Sequence, residues 1–132
     1  NTKNKFEYNF LNCPDIVQTL AVSCAAKNIE TNLQGLQTLS IKETDRISAL
    51  KNELEKVGTK ISTTKNSIQI VPSQISNLKP QISTYKDHRM AMSFAPLALY
   101  GPIEIENPAV VEKSFPHFWD ELQKIGFIIQ YK

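Results

Sequence analysis

This chain of 132 residues is poor in arginine, glycine and cysteine, and it carries no run of like charge. Its four glycines stand apart from one another, which excludes a glycine-rich phosphate loop, and no Gly-x-Ser-x-Gly nucleophile elbow is present. Cys13 and Cys24 lie eleven residues apart, which on a single helix is about 16 Å, too far for a disulfide. They read as two reduced thiols of a cytoplasmic protein, and their spacing is not that of zinc ligands, so no metal is expected. No segment approaches the roughly 20 apolar residues that span a bilayer, so no membrane partner is expected either. Thirteen acids are dispersed among fifteen bases for a net charge of +2, and the lysines form no patch in sequence. That balance argues against a nucleic-acid partner. The chain opens without Met or a signal pattern, in the polar Asn1-Thr2-Lys3-Asn4-Lys5, and reads as cut from a longer protein.

Against this background the two arginines stand out beside thirteen lysines. Arg46 closes Lys42-Glu43-Thr44-Asp45-Arg46, and Arg89 closes Lys86-Asp87-His88-Arg89. Lysine meets the general need for positive charge, whereas the planar guanidinium fork suits bidentate contact with carboxylate or phosphate. Apolar residues, at 41%, are enough for a core.

Periodicity supplies the organisation. Phe6, Tyr8 and Phe10 alternate as a strand, and Pro14 suits the first turn of a helix over Asp15–Ala26. An extended segment follows around Thr31–Leu39. A second helix runs from about Thr44 to Val57, with Ile47, Leu50, Leu54 and Val57 on one face and Gly58 as its stop. Thr59–Thr63 and Ser67–Val71 alternate as a hairpin around Thr64-Lys65-Asn66. Residues 72–81 read as a linker, and then the pattern restarts. Ile82–Tyr85 is a strand, and Asp87 opens a helix that Pro96 should kink near Met92. Ile103–Glu106 is a strand. Ser114 is expected to cap a fourth helix with Phe118, Leu122 and Ile125 inward, ended by Gly126, and Phe127–Tyr131 is expected to be a final strand. Asp15 then matches Asp87, Leu54 matches Leu122 and Gly58 matches Gly126. This predicts an α/β fold of repeated βαβαβ(β) units, over about 5–71 and 82–131.

The charged clusters have bland explanations that cover only part of each. Ser40-x-x-Glu43 fits a capping box, and Asp45 complements a helix dipole, but Lys42 and Arg46 are unfavourable near a positive helix end unless an anion is close. A cap likewise explains Asp87 and leaves His88 and Arg89 unexplained. Asp15 by itself is ordinary dipole compensation, and Lys113 by itself is a solvated lysine. His117 and Trp119 read as structural, and Tyr85, Met90 and Met92 read as packing in or behind the site.

The run Lys42-Glu43-Thr44-Asp45-Arg46 resembles the Lys-Glu-(Ser/Thr)-Asp-Arg signature of the 5-enolpyruvylshikimate-3-phosphate synthases. Asp87-His88-Arg89-Met90-Ala91-Met92 resembles the second signature of that family. Pro14-Asp15 before an apolar helix and Lys113-Ser114-Phe115-Pro116 match two further points in the same order. The resemblance implies βαβαββ units with helices packed inward and sheets outside, here about two of the three units of one domain. Residues 1–132 would be the C-terminal part of the C-terminal domain, with the N-terminal domain absent and an apolar face left open where the missing unit docks.

The same resemblance implies transfer of the enolpyruvyl group of phosphoenolpyruvate to the 5-hydroxyl of shikimate 3-phosphate, with neither metal nor organic cofactor. Asp15 would accept the hydroxyl proton and hold the shikimate ring. Glu43 would be the acid at the methylene carbon, and Lys42 would contact shikimate 3-phosphate. Arg46 and Arg89 would clamp phosphoenolpyruvate, Lys113 would reach its phosphate, and Asp87 and His88 would support the clamp. Thr38 stands where some relatives carry an amide. The isolated piece is expected to be inactive, because the site lies between two domains. Two alternatives remain: a transferase acting on UDP-N-acetylglucosamine, and a non-catalytic anion-binding module of the same fold.

Overall fold

The computed structural model describes residues 5–42, 44–74 and 79–132. Strand β1 (Lys5–Asn9) leads through a 3₁₀ turn at Pro14–Ile16 into helix α1 (Val17–Ala26), and β2 (Glu30–Gln34) follows. A second 3₁₀ turn, Gln37–Ile41, precedes α2 (Arg46–Lys56), then β3 (Lys60–Thr63) and β4 (Ser67–Val71). Next come β5 (Gln81–Ile82), α3 (His88–Phe94) extended by 3₁₀ backbone over Ala95–Tyr100, β6 (Glu104–Ile105), a 3₁₀ turn at Pro108–Val111, and α4 (Phe118–Lys124). The first four strands form one sheet in the order β1-β2-β4-β3, with β1 and β2 parallel across α1 and the other pairs antiparallel. β5 and β6 pair in parallel across α3.

Strand alternation sets the layers. Thr31 and Leu33 of β2 pair with Ile70 and Ile68 of β4, and all four side chains are buried. Their neighbours Gln69 and Val71 face outward. The covered face meets Val17 and Ala21 of α1 and Leu50 and Leu54 of α2 in one apolar cluster, which Met90 and Phe94 of α3 complete. Helices therefore lie inside and the larger sheet outside, because only α1, α2 and α3 carry apolar stripes wide enough to be covered. Gly35 turns the chain after β2 at φ +76°, and a Cβ there would stand 2.7 Å from the Leu11 amide.

The hairpin over 59–71 and the α2 stripe lie where periodicity puts them. Several boundaries differ from expectation, each for a local reason. Asp45, not Ser40, caps α2, its carboxylate accepting from the Ser48 amide at 3.1 Å. Ser40 is spent inside the preceding 3₁₀ turn, donating to the Gln37 carbonyl. Pro96 does not kink α3 at Met92. The α-helix stops at Phe94 and continues as 3₁₀ backbone, which tolerates proline in its first turn.

The fourth helix starts at Phe118 behind His117, not behind Ser114, because Phe115 precedes Pro116 and is kept out of helical conformation. No residue of α4 is buried, and Ile125 is exposed. Residues 127–132 form no strand, and Ile128 is 91% exposed. Leu99, Tyr100, Ile125 and Tyr131 add to the apolar surface in this second half. Among the described residues no helix is long and apolar enough to cross a membrane.

Denaturant unfolding of the protein carrying this chain should report the layering directly. Leu54→Ala, at a fully buried position, is expected to cost about 2–5 kcal/mol. Ile128→Ala is expected to change stability by no more than about 0.5 kcal/mol. A comparable loss at Ile128 would mean that the terminal segment packs after all.

Candidate functional site

Three segments distant in sequence converge at one edge of the helix layer: the 3₁₀ turn before α1, the start of α2 and the start of α3. Arg46 is the first residue of α2, and its side chain is 2% exposed. Asp87, the cap of α3, is fully buried. Arg46 Nε donates to Asp87 Oδ2 at 2.7 Å and Nη2 donates to Oδ1 at 3.3 Å, so the fork meets the carboxylate side-on at two points. The Arg89 amide donates to Oδ1 at 2.9 Å, and Gln18 Nε2 donates to Oδ2 at 3.5 Å. Asp87 thus caps one helix while neutralising the buried arginine of another.

The third guanidinium nitrogen faces Asp15. Arg46 Nη1 donates to Asp15 Oδ1 at 3.4 Å, Lys42 Nζ stands 3.7 Å from the same oxygen, and Arg89 Nη2 stands 3.8 Å from Oδ2. Arg89 Nη1 also donates to the Asp15 backbone carbonyl at 3.1 Å. The side chains of Lys42, Arg89 and Asp15 are 35%, 37% and 48% exposed, so the cluster opens to solvent on this side. Among the described residues, three cations, Lys42, Arg46 and Arg89, face two carboxylates, Asp15 and Asp87, at this edge.

The other expected residues are less closely engaged. His88 is half-buried next to Arg89, and Lys113 is exposed beyond the 3₁₀ turn at Pro108–Val111, pairing with none of the cluster among the described residues. Thr38 is exposed. Glu43, the expected acid at the methylene carbon, lies outside the described residues. Two concavities of about 560 and 380 Å³ lie elsewhere, the first beside Ala26, Val57 and Leu97 and the second beside Ile105, Trp119 and Ile129. The charged cluster is an open shelf, not a closed pocket.

Sequence reasoning missed two polar residues that support it. Gln18 is buried, and only its position on α1, one turn after Asp15, hints at a shared face. Glu53 lies two turns after Arg46 on α2 and is 1% exposed. Its Oε1 accepts from Lys56 Nζ at 2.7 Å and from the Ser83 amide at 2.9 Å, and its Oε2 accepts from Tyr85 Oη at 2.6 Å. Tyr85 and Lys86 adopt left-handed backbone with φ of 56° and 57°. That conformation costs each non-glycine residue on the order of 1–3 kcal/mol, and it persists because the surroundings hold it.

The result is an α/β fold that gathers two arginines, a lysine and two carboxylates beside the starts of two helices. Comparison with known proteins makes the class specific. Residues 2–122 match the family model described as EPSP synthase (3-phosphoshikimate 1-carboxyvinyltransferase). The chain belongs to this family. It is 46% identical over 129 residues to a 3-phosphoshikimate 1-carboxyvinyltransferase of Bacteroides fragilis, covering 96% of this chain and 32% of that protein. It is 36% identical to the protein of the same name from Haemophilus influenzae, covering 92% of this chain and 29% of that one. The structure of EPSP synthase from Acinetobacter baumannii superposes with a TM-score of 0.79 at 30% identity, over 89% of this chain and 28% of that chain. The chain thus spans about a third of the length of these relatives.

Two outcomes follow from the geometry. Arg46→Ala leaves the Asp87 carboxylate buried without its main partner and is expected to cost about 3–5 kcal/mol in denaturant unfolding. Lys42→Ala, at a half-exposed ion pair, is expected to cost no more than about 1 kcal/mol. Separately, burial, and then the hydrogen bond to Glu53, raise the Tyr85 phenol above its ordinary 10.0. The folded state then holds this proton more tightly than the unfolded state. The associated stability is complete below pH 10.0 and is lost as pH rises through the raised value. Subtracting the absorbance titration of Tyr85→Phe at alkaline pH from that of the unmodified protein should isolate one late-titrating phenol.

Proposed function

We propose that the protein carrying this chain transfers the enolpyruvyl group of phosphoenolpyruvate to the 5-hydroxyl of shikimate 3-phosphate, releasing phosphate, in cytoplasmic aromatic amino-acid synthesis. The single observation that carries the proposal is the convergence of Asp15, Lys42, Arg46 and Arg89, residues of three of the four matched family signatures, on one solvent-open edge. Membership of the family supports this reaction. This chain would be the C-terminal part of the C-terminal domain, built of two repeat units over about 5–71 and 82–131. The N-terminal domain of the same protein would close over the shelf, and residues 1–132 alone would be inactive.

The chemistry is an addition followed by an elimination. In the addition, the 5-hydroxyl oxygen attacks C2 of phosphoenolpyruvate while Asp15 accepts its proton and Glu43 protonates the methylene carbon. In the elimination, Glu43 takes a proton back from that carbon, the C2–O bond to phosphate breaks, and the leaving phosphate takes up the proton that Asp15 had accepted. Both substrates are anions, so fixed cations are needed to hold them together and to stabilise the charge that develops. Lys42 contacts shikimate 3-phosphate, Arg46 and Arg89 bind phosphoenolpyruvate chiefly through its carboxylate, and Lys113 reaches its phosphate. Asp87 takes two donors of Arg46, which supports a role in aiming Nη1 at the ligand side. His88 flanks Arg89 and tunes it.

The test is phosphate release from phosphoenolpyruvate by the full-length protein, with shikimate 3-phosphate or UDP-N-acetylglucosamine as acceptor. Turnover is expected with shikimate 3-phosphate alone. Arg89→Ala removes a charge-assisted hydrogen bond of about 1.5–3 kcal/mol and should lower kcat/KM for phosphoenolpyruvate by about 10–100-fold. A well-folded protein that turns over neither acceptor would point to a non-catalytic anion-binding module.

A further inference from the structure

Two acidic or basic side chains of helix α2, Arg46 and Glu53, hold the residues just before Arg89, and only Arg46 belongs to a signature motif. At the N-terminus of α2, Arg46 holds Asp87. Two turns on, Glu53 holds Ser83 and Tyr85. Between these grips runs Ser83–Lys86, whose last two residues carry left-handed backbone directly before the cap of α3.

We propose that Glu53 and Tyr85 are positioning residues for anion binding. Their hydrogen bond holds the left-handed turn at Tyr85–Lys86 and thereby sets the direction in which Arg89 leaves the start of α3. The proposal rests on the function proposed above for the substrate by which it is read.

The geometry assigns each contact a part. Glu53 Oε1 accepts from the Ser83 amide, which fixes the chain as it leaves β5. Oε2 accepts from the Tyr85 hydroxyl at 2.6 Å, a charge-assisted bond that holds the ring of a residue with φ 56°. The Asp87 amide donates to the Thr84 carbonyl at 2.8 Å, closing the turn. Thr84 Oγ1 donates to the Glu106 carbonyl at 3.1 Å, tying the same turn to β6. Lys56 Nζ bridges Glu53 Oε1 and the Gln81 carbonyl, at 2.7 and 3.1 Å, and offsets the buried negative charge. Neither Glu53 nor Tyr85 touches Asp15, Lys42 or Arg89, so neither is a catalytic residue. If the turn relaxes toward ordinary backbone, Asp87 and Arg89 rotate with it, and the fork that reaches Asp15 is no longer held.

The experiment compares Glu53→Gln and Tyr85→Phe in the full-length protein. Steady-state kinetics are expected to show KM for phosphoenolpyruvate rising about fivefold or more, with KM for shikimate 3-phosphate and kcat each within about twofold of unmodified. The double variant is expected to show less than the sum of the two single effects, because the Glu53–Tyr85 bond is lost in both, while Glu53 alone also serves Ser83 and Lys56. Glu53→Gln should also move the Tyr85 phenol back toward its ordinary 10.0. Tyr85→Phe removes only a hydroxyl and serves should Glu53→Gln not fold. Isothermal titration with phosphoenolpyruvate alone gives a readout independent of turnover, where a matching rise in Kd is expected.

Variants that lose thermal stability but keep both the KM and the Kd for phosphoenolpyruvate overturn the proposal and leave a purely structural bond. So do additive effects in the double variant. Absence of turnover in the unmodified protein sinks the proposed reaction instead, and the titration of phosphoenolpyruvate still decides the role of Glu53 and Tyr85.

Discussion

The buried pair between Arg46 and Asp87 is the contact on which the rest of this architecture turns. An arginine at 2% exposure has no water to solvate it, and a carboxylate at the foot of α3 has none either. Each is tolerated inside chiefly because the other is within hydrogen-bond distance, with the Arg89 amide and Gln18 adding donors to Asp87. The pair comes from opposite sides of the segment 72–81, so the two halves of the chain must dock before either charge is satisfied. Because Asp87 also caps α3, the docking of α2 and the start of α3 are one event, not two. The Asp15 carboxylate then meets a guanidinium whose other two nitrogens are already committed.

Topology explains why these groups meet at one edge. In a parallel β-α-β crossover the helix begins on the side where the strand ends, so residues just after strands gather along a common rim. Asp15 follows β1, Lys42 and Arg46 follow β2, and Asp87 and Arg89 follow β5. The parallel pairings of β1 with β2 and of β5 with β6 make this a property of the fold, independent of any one side chain. The second half is thinner. Its sheet is a single two-residue ladder, and α4 and the residues beyond it leave apolar side chains in water.

Much of the first half was legible in the chain. Strict alternation over 59–71 with a polar turn is a hairpin whatever surrounds it, and the spacing of Ile47, Leu50, Leu54 and Val57 admits one helical face. Caps were harder to read, because Ser40, Thr44 and Asp45 all qualify chemically, and only the placement of the Asp45 carboxylate against the Ser48 amide distinguishes it. Residues 127–131 have the composition of a strand, yet a ladder needs a partner, and none of the described strands pairs with them. Phe115 before Pro116 was readable as a helix barrier and outweighs the attraction of Ser114 as a cap.

The sequence by itself determined the chemistry that could be assembled: two guanidinium forks in a lysine-rich chain, each set beside acids at the start of an apolar stripe. It determined this because donor geometry and helix periodicity are local properties, written in residue type and spacing. Tertiary structure alone decided which acid each fork meets. Arg46 has Asp45 as a sequence neighbour but bonds Asp87, forty-one residues away, and Arg89 reaches back to Asp15. It also decided that Glu53, one polar residue on an otherwise ordinary helix, would be buried against Tyr85. No local pattern records such a meeting, because it exists only once two helices have packed and excluded the water between them.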